Sequence, residues 1–143
     1  MTVSRILAKK GRDVITTEPH RTLREVAQLL SDKGIGALVV TGSDREVLGI
    51  VSERDVVRAV ARQGDAALDD AVSKHMTARV VTASETATIN SMMRQMTTGR
   101  FRHVPVVEDG RLVGLVSIGD VVKSRLEEFE VEQQALKDYI ATA

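Results

Sequence analysis

The chain has 143 residues, of which 43% are hydrophobic and 28% charged, and its 20 basic and 20 acidic side chains cancel. That is the make-up of one compact globular domain; a neutral chain with no basic block argues against nucleic acid as the main partner, and 2% aromatic content argues against base-stacking platforms. The absence of cysteine excludes disulfides and thiolate chemistry, and no apolar run approaches the roughly 18 residues of a membrane span, so a cytoplasmic chain without membrane contact is expected.

In chain order, Val3, Ile6 and Leu7 have helical spacing ahead of Gly11 and predict an N-terminal helix within residues 1–12. The opening stretch lacks the long apolar core of a secretory leader. Asp13 to Thr16 predicts a short strand. Thr22 with Glu25 predicts a capping box for a helix that puts Leu23, Val26, Ala27, Leu29 and Leu30 on one face and stops at Gly34. Gly36 to Val40 reads as a buried strand, Gly42 to Arg45 as a hairpin turn and Val47 to Val51 as a second strand. Ser52 opens a helix to about Arg62. Residues 65–78 form the link, with a short helix or two helical turns.

The second half replays the first. Val80-Val81-Thr82 matches Val14-Ile15-Thr16 at an offset of 66. Thr86 is a candidate cap for a helix with Ile89, Met92, Met93 and Met96 on its apolar face. Phe101 to Val107 matches Ile35 to Thr41. The turn from Glu108 to Arg111 is one residue shorter than its counterpart, so the offset drops to 65 beyond it. The expected fold is therefore α+β: two tandem β-α-β-β-α repeats, residues 13–64 and 79–124, forming one module with flanking helices. Units of this size are marginal alone and gain by burying their faces together.

Beyond the second repeat, residues 125–143 extend the last helix. Val122, Leu126, Phe129, Gln133, Leu136 and Ile140 step by four and three. That stripe either packs back on its own domain or meets a second chain, and a homodimer is the expectation.

The sharpest signal is Gly49-Ile50-Val51-Ser52-Glu53-Arg54-Asp55-Val56-Val57, repeated as Gly114-Leu115-Val116-Ser117-Ile118-Gly119-Asp120-Val121-Val122 with six of nine positions identical. Each copy ends a strand and starts a helix. Ser and Asp at that spacing cap a helix; the same oxygens beside free N–H groups can hold a ribose and a phosphate. An ionised Asp accepts two hydrogen bonds, which suits a vicinal diol, but it repels phosphate. Arg54, Arg100, Arg102 and His103 are the available counter-charges. Gly119 allows close backbone approach of a ligand. The three histidines are scattered without metal-site spacing. No phosphate loop, dinucleotide fingerprint or nucleophile elbow is present, so no enzyme activity is expected.

The duplicated motif, with Lys74-His75-Met76-Thr77 before Val80-Val81-Thr82 and Arg102-His103-Val104-Pro105-Val106-Val107 before the second hairpin, resembles a pair of cystathionine-β-synthase-type (CBS) domains. The flanking helices resemble those of small stand-alone bacterial CBS-pair proteins. The resemblance implies two clefts between the repeats that take AMP, ADP, ATP, NAD or S-adenosylmethionine, with no cofactor required. By position it implies Asp55 and Asp120 as ribose ligands and Ser52 and Ser117 as hydroxyl ligands. Thr16, Gly36, Ala37 and Leu38 would line one cleft; Thr82, His103, Val104 and Pro105 the other. Arg102 and His103 beside Ser117 and Asp120 make that second cleft the expected tighter site. The function expected is an adenine-nucleotide sensor reporting to an unknown protein effector or through self-association; the alternative is a ligand-free dimerisation or interaction scaffold.

Overall fold

The computed structural model describes residues 1–142. Its elements are α1 (Val3–Lys10), β1 (Thr16–Thr17), α2 (Leu23–Lys33), β2 (Ala37–Thr41), β3 (Val47–Ser52), α3 (Glu53–Gln63), α4 (Ile89–Gly99), β4 (His103–Glu108), β5 (Arg111–Ser117) and α5 (Ile118–Thr142). Two 3-10 stretches, Gly64–Asp69 and Val72–Lys74, take the place of a linking helix. The α+β architecture of two tandem repeats is as the sequence predicts.

The repeats share their strand register. Ala37 pairs with Ser52 in the first hairpin and His103 with Ser117 in the second. The amide that opens each following helix donates back across the hairpin, Glu53 N to the Gly36 carbonyl at 3.0 Å and Ile118 N to the Arg102 carbonyl at 2.8 Å. The starts of β2 and β4 therefore occupy equivalent places beside a helix N-terminus.

The leading strands differ. β1 runs parallel to β2, with Thr16 opposite Val39 and Thr17 opposite Val40. Its counterpart keeps only one bridge, Ala83 to Val106, so the strand expected at Val80-Val81-Thr82 does not form. Pro105 is the reason. Ala83 N donates to the Pro105 carbonyl and Val107 N to the Ala83 carbonyl, and the next rung would need an N–H on Pro105, which proline lacks. Two helix starts are also corrected. Thr88, not Thr86, caps α4, accepting from Ser91 N at 3.1 Å. Thr22 accepts from Glu25 N at 3.1 Å without the return bond of a full capping box.

There are two aliphatic cores, and each borrows from outside its own repeat. One joins Leu23, Val26, Leu30, Leu38, Val40 and Val51 to Ala67 and Val72 of the linker. The other joins Ile89, Met92, Met96, Val104, Val106, Val116 and Val121 to Val3, Ile6 and Leu7 of α1. Met93, expected on the apolar face, is exposed at 36%. So the linker completes the first repeat and α1 completes the second. The motif glycines make this possible. A Cβ on Gly49 would lie 2.5 Å from Met76 Sδ and 2.8 Å from the Thr77 carbonyl oxygen; one on Gly114 would lie 2.7 Å from the Leu7 methyls.

The reading in which the last helix packs back on its own domain is overturned. From Phe129 to Thr142 every residue of α5 is exposed. Leu126, Phe129, Leu136 and Ile140 are 50–64% accessible, so no described part of the chain covers them.

Gly49→Ala is expected to destabilise by about 1–3 kcal/mol, as overpacking does, because a backbone carbonyl cannot rotate aside. Calorimetry should show a melting temperature several degrees lower; an unchanged value would mean that the linker does not sit against β3 this closely.

Candidate functional site

Both Ser-x-x-Asp motifs cap their helices. Ser52 N donates to Asp55 Oδ2 at 2.8 Å and Asp55 N to Ser52 Oγ at 3.4 Å. Ser117 N donates to Asp120 Oδ2 at 2.9 Å and Asp120 N to Ser117 Oγ at 3.2 Å. The capping thus uses one carboxylate oxygen of each Asp. Asp55 Oδ1 has no hydrogen-bond partner among the described residues, so the cap does not exhaust this carboxylate as an acceptor.

The two copies then part. Asp55 borders a cleft of about 330 Å³, within the size range of small-molecule sites. Its walls are Gly36, Ala37, Ile50, Ser52, Glu53, Arg54, Asp55 and Arg58 from the first repeat, with Thr77, Arg79, Val80, Val81, Arg100, Phe101, Arg102 and His103 beyond it. Asp120 instead meets the Lys10 ammonium at 2.6 Å, and Lys10 also donates to the Leu115 carbonyl at 2.8 Å. Leu115 is the counterpart of Ile50, whose carbonyl accepts from Thr77 N at 2.9 Å. A lysine side chain from α1 thus satisfies in one repeat the carbonyl that the linker backbone satisfies in the other. The space beside Asp120, bounded by Lys9, Lys10, Lys123, Ser124 and Glu127 among others, is only about 110 Å³.

Of the residues singled out from sequence, the large cleft gathers Gly36, Ala37, Ser52, Arg54, Asp55, Arg100, Arg102 and His103. Ser117, Gly119 and Asp120 lie outside its walls, but His103 pairs with Ser117 and the Arg102 carbonyl accepts from Ile118 N, so Arg102 and His103 sit between the two motifs. The starts of β2 and β4 lie close together across the two repeats. A Cβ on Gly36 would lie 3.9 Å from His103 Cε1 and 3.2 Å from Glu53 Oε1. The side chains that lead into β4 therefore face the helix start of the other repeat. Thr16 opens on a separate surface groove, Thr82 is exposed outside the cleft, and Leu38, Val104 and Pro105 are buried in the core. Sequence reasoning missed Arg58 and Arg79. Arg58 is one helical turn beyond Arg54, which the helix prediction could have supplied; Arg79 lies at the end of the linker, where no sequence signal marked it.

Electrostatics follow the geometry. Burial pushes the His103 imidazole below its usual range; Lys10 and Arg102 add to this, and Asp120 and Glu53 oppose it. For Asp120, burial alone would raise the carboxyl, but the hydrogen bonds from Lys10 and Ser117 and the Lys10 charge outweigh it and hold the group below its ordinary value. The described residues hold no cluster of His, Cys, Asp and Glu suited to a metal ion.

The CBS domain family model matches residues 3–62 and 71–127. The chain belongs to the CBS-domain family. A CBS-domain-containing protein of Agrobacterium tumefaciens superimposes with a TM-score of 0.84 at 52% identity, covering 87% of this chain and 99% of that one. A CBS domain protein of Pyrobaculum aerophilum, solved in complex with AMP, superimposes at 0.75 with 32% identity over 84% of this chain and 89% of that one. A mitochondrial CBS-domain-containing protein of Arabidopsis thaliana is 32% identical over 97% of this chain and 71% of its own length. The domain pair of protein MJ0100, solved with 5′-methylthioadenosine and S-adenosyl-L-methionine, superimposes at 0.77 with 27% identity over 91% of this chain and 98% of that one. No helix among the described residues of this CBS pair is long and apolar enough to cross a membrane.

Lys10→Met should raise the pH at which Asp120 titrates, read from its carboxyl carbon shift. Because the folded value is depressed, the stability Asp120 contributes is complete above the ordinary Asp value of about 3.9 and is lost as pH falls through the folded value. The variant should therefore lose less stability on the acid side, over a narrower range that ends at higher pH than in the parent. An unchanged Asp120 titration would mean that the ion pair does not form in solution.

Proposed function

We propose that this CBS pair is a cytoplasmic, non-enzymatic regulatory module that binds an adenosine nucleotide in the cleft between Asp55 and Arg102. The observation that carries the reading is the uncommitted Oδ1 of Asp55, bordering a cleft whose other walls supply arginines. In this reading Asp55 accepts from the ribose hydroxyls while its other oxygen keeps capping α3. Gly36, Ala37, Val80 and Val81 flank the base with backbone groups and small apolar surface. Arg54, Arg100 and Arg102 hold phosphate. AMP, ADP, ATP and NAD all present this chemistry. Relatives solved with AMP, 5′-methylthioadenosine and S-adenosyl-L-methionine support an adenosine ligand in general.

Because the cleft walls come from both repeats, a bound ligand favours the arrangement that makes both sets of contacts, and regulation is a shift of population toward it. The output runs through association. The exposed row Leu126, Phe129, Leu136 and Ile140 on α5 suits a homodimer or a protein effector, and that same row favours a scaffold as the second reading.

Thermal unfolding tests the reading. A nucleotide at 100 times its dissociation constant adds about 2.7 kcal/mol, a rise of several degrees for a chain of this size. Asp55→Ala loses a cap, about 1 kcal/mol, and so melts lower without ligand. The ligand-dependent increment is the readout, and it should vanish in Asp55→Ala but persist in Asp120→Ala. No increment with any adenosine ligand would leave the scaffold reading. Phe129→Glu with Leu136→Glu should convert a dimer to a monomer in light scattering; an unchanged mass would place the contact elsewhere.

A further inference from the structure

The cleft at Asp55 carries an excess of cations. The chain as a whole is neutral, yet Arg54, Arg58, Arg79, Arg100 and Arg102 line this cleft against only Glu53 and Asp55. None of these five arginines lies within ion-pair distance of a carboxylate among the described residues. Of the nine arginines elsewhere, Arg12, Arg21, Arg24, Arg111 and Arg125 have such a partner; what sets the cleft apart is five unpaired arginines on one set of walls. His103 is not counted among these cations, since burial lowers its imidazole below the usual range.

Four of the five arginines have no basic counterpart in the duplication. At the matching positions the other repeat has Gly119 for Arg54, Lys123 for Arg58, Asp13 for Arg79, Gly34 for Arg100 and Gly36 for Arg102. A fold that needed these arginines for packing would be expected to need them twice. All five are exposed, so they contribute little to the core.

They come from three separate segments: Arg54 and Arg58 from α3, Arg79 from the stretch before Ala83, and Arg100 and Arg102 from the turn between α4 and β4. A single phosphate monoester brings about two negative charges and three acceptor oxygens. It cannot neutralise three excess cations, nor offer a bidentate edge to five guanidinium forks on different walls. A chain of phosphates can do both.

We propose that the ligand of this cleft carries two or more linked phosphates, as in a nucleoside diphosphate, a nucleoside triphosphate or a dinucleotide. The proposal rests on the ribose seat at Asp55 and adds a specificity to it. Adenosine, 5′-methylthioadenosine and the cationic S-adenosylmethionine are disfavoured, because they leave the arginines facing one another without a counter-ion. AMP binds, but more weakly than ADP.

Titration calorimetry on the full chain at low and moderate salt decides it, with adenosine, AMP, ADP, ATP, NAD, S-adenosylmethionine and inorganic tripolyphosphate as probes. The expected order is ADP, ATP and NAD at least tenfold tighter than AMP, with S-adenosylmethionine and adenosine weakest. The advantage over AMP should shrink as salt screens the charges. Arg79→Ala and Arg100→Ala should each weaken ADP by about tenfold or more and AMP by much less. AMP or S-adenosylmethionine binding as tightly as ADP would overturn the polyphosphate proposal and leave the adenosine reading standing. Tripolyphosphate binding with no nucleoside contribution, unaffected by Asp55→Ala, would sink the ribose seat and with it this proposal as stated, leaving only an anion site. Silence from every probe would overturn both.

Discussion

Close approach at two glycines fixes this molecule. Gly49 lets the linker lie against β3, and Gly114 lets α1 lie against β5. At each place a side chain would collide with the segment that leads into the other repeat. The chain therefore cannot fold as two self-contained units; each half is finished by residues that precede its partner. Both cores depend on this crossing, since Ala67 and Val72 complete one and Val3, Ile6 and Leu7 the other. The site depends on it too, because the same linker carries Thr77 and Arg79 to the helix start that holds Ser52 and Asp55.

The duplicated Ser-x-x-Asp poses a choice between cap and ligand, and the geometry removes the conflict. One oxygen of each carboxylate closes the reciprocal cap with the Ser backbone. The other is a separate acceptor. What separates the copies is what lies beside them. Asp55 looks onto a roomy cleft rich in unpaired guanidinium groups, whereas Asp120 is held by Lys10 in a much smaller space. The two copies of the motif thus differ in their surroundings, an arginine-lined cleft at one and an internal ion pair at the other.

Much of this was legible in the sequence. The repeat shows because hydrophobic period, turn residues and the nine-residue motif recur at an almost constant offset, and strands, helices and caps follow from local rules. Half of the expected site residues share one cleft. Where the others sit depends on packing that no local rule reports. Arg102 and His103 stay beside Ser117 in the hairpin yet also border the cleft at Ser52, and no local rule shows that second neighbourhood. Arg79 precedes the expected strand at Val80-Val81-Thr82, and nothing local marks it as a cleft residue. Lys10 and Asp120 are 110 positions apart, and only the docking of α1 brings them together. Sequence patterns report what each element is; they do not report which faces of a pseudo-symmetric pair meet.

The central claim is that one cleft, shared between the repeats and anchored at Asp55, receives an adenosine nucleotide. A crystal structure of the chain grown with ADP tests it most directly. The account predicts one nucleotide per chain, its ribose hydroxyls on Asp55 Oδ1, its base between Gly36–Ala37 and Val80–Val81, and its phosphates among Arg54, Arg79, Arg100 and Arg102, with Lys10 still paired to Asp120. A nucleotide seated on Asp120 with Lys10 displaced, or an empty cleft at saturating ADP, would contradict it.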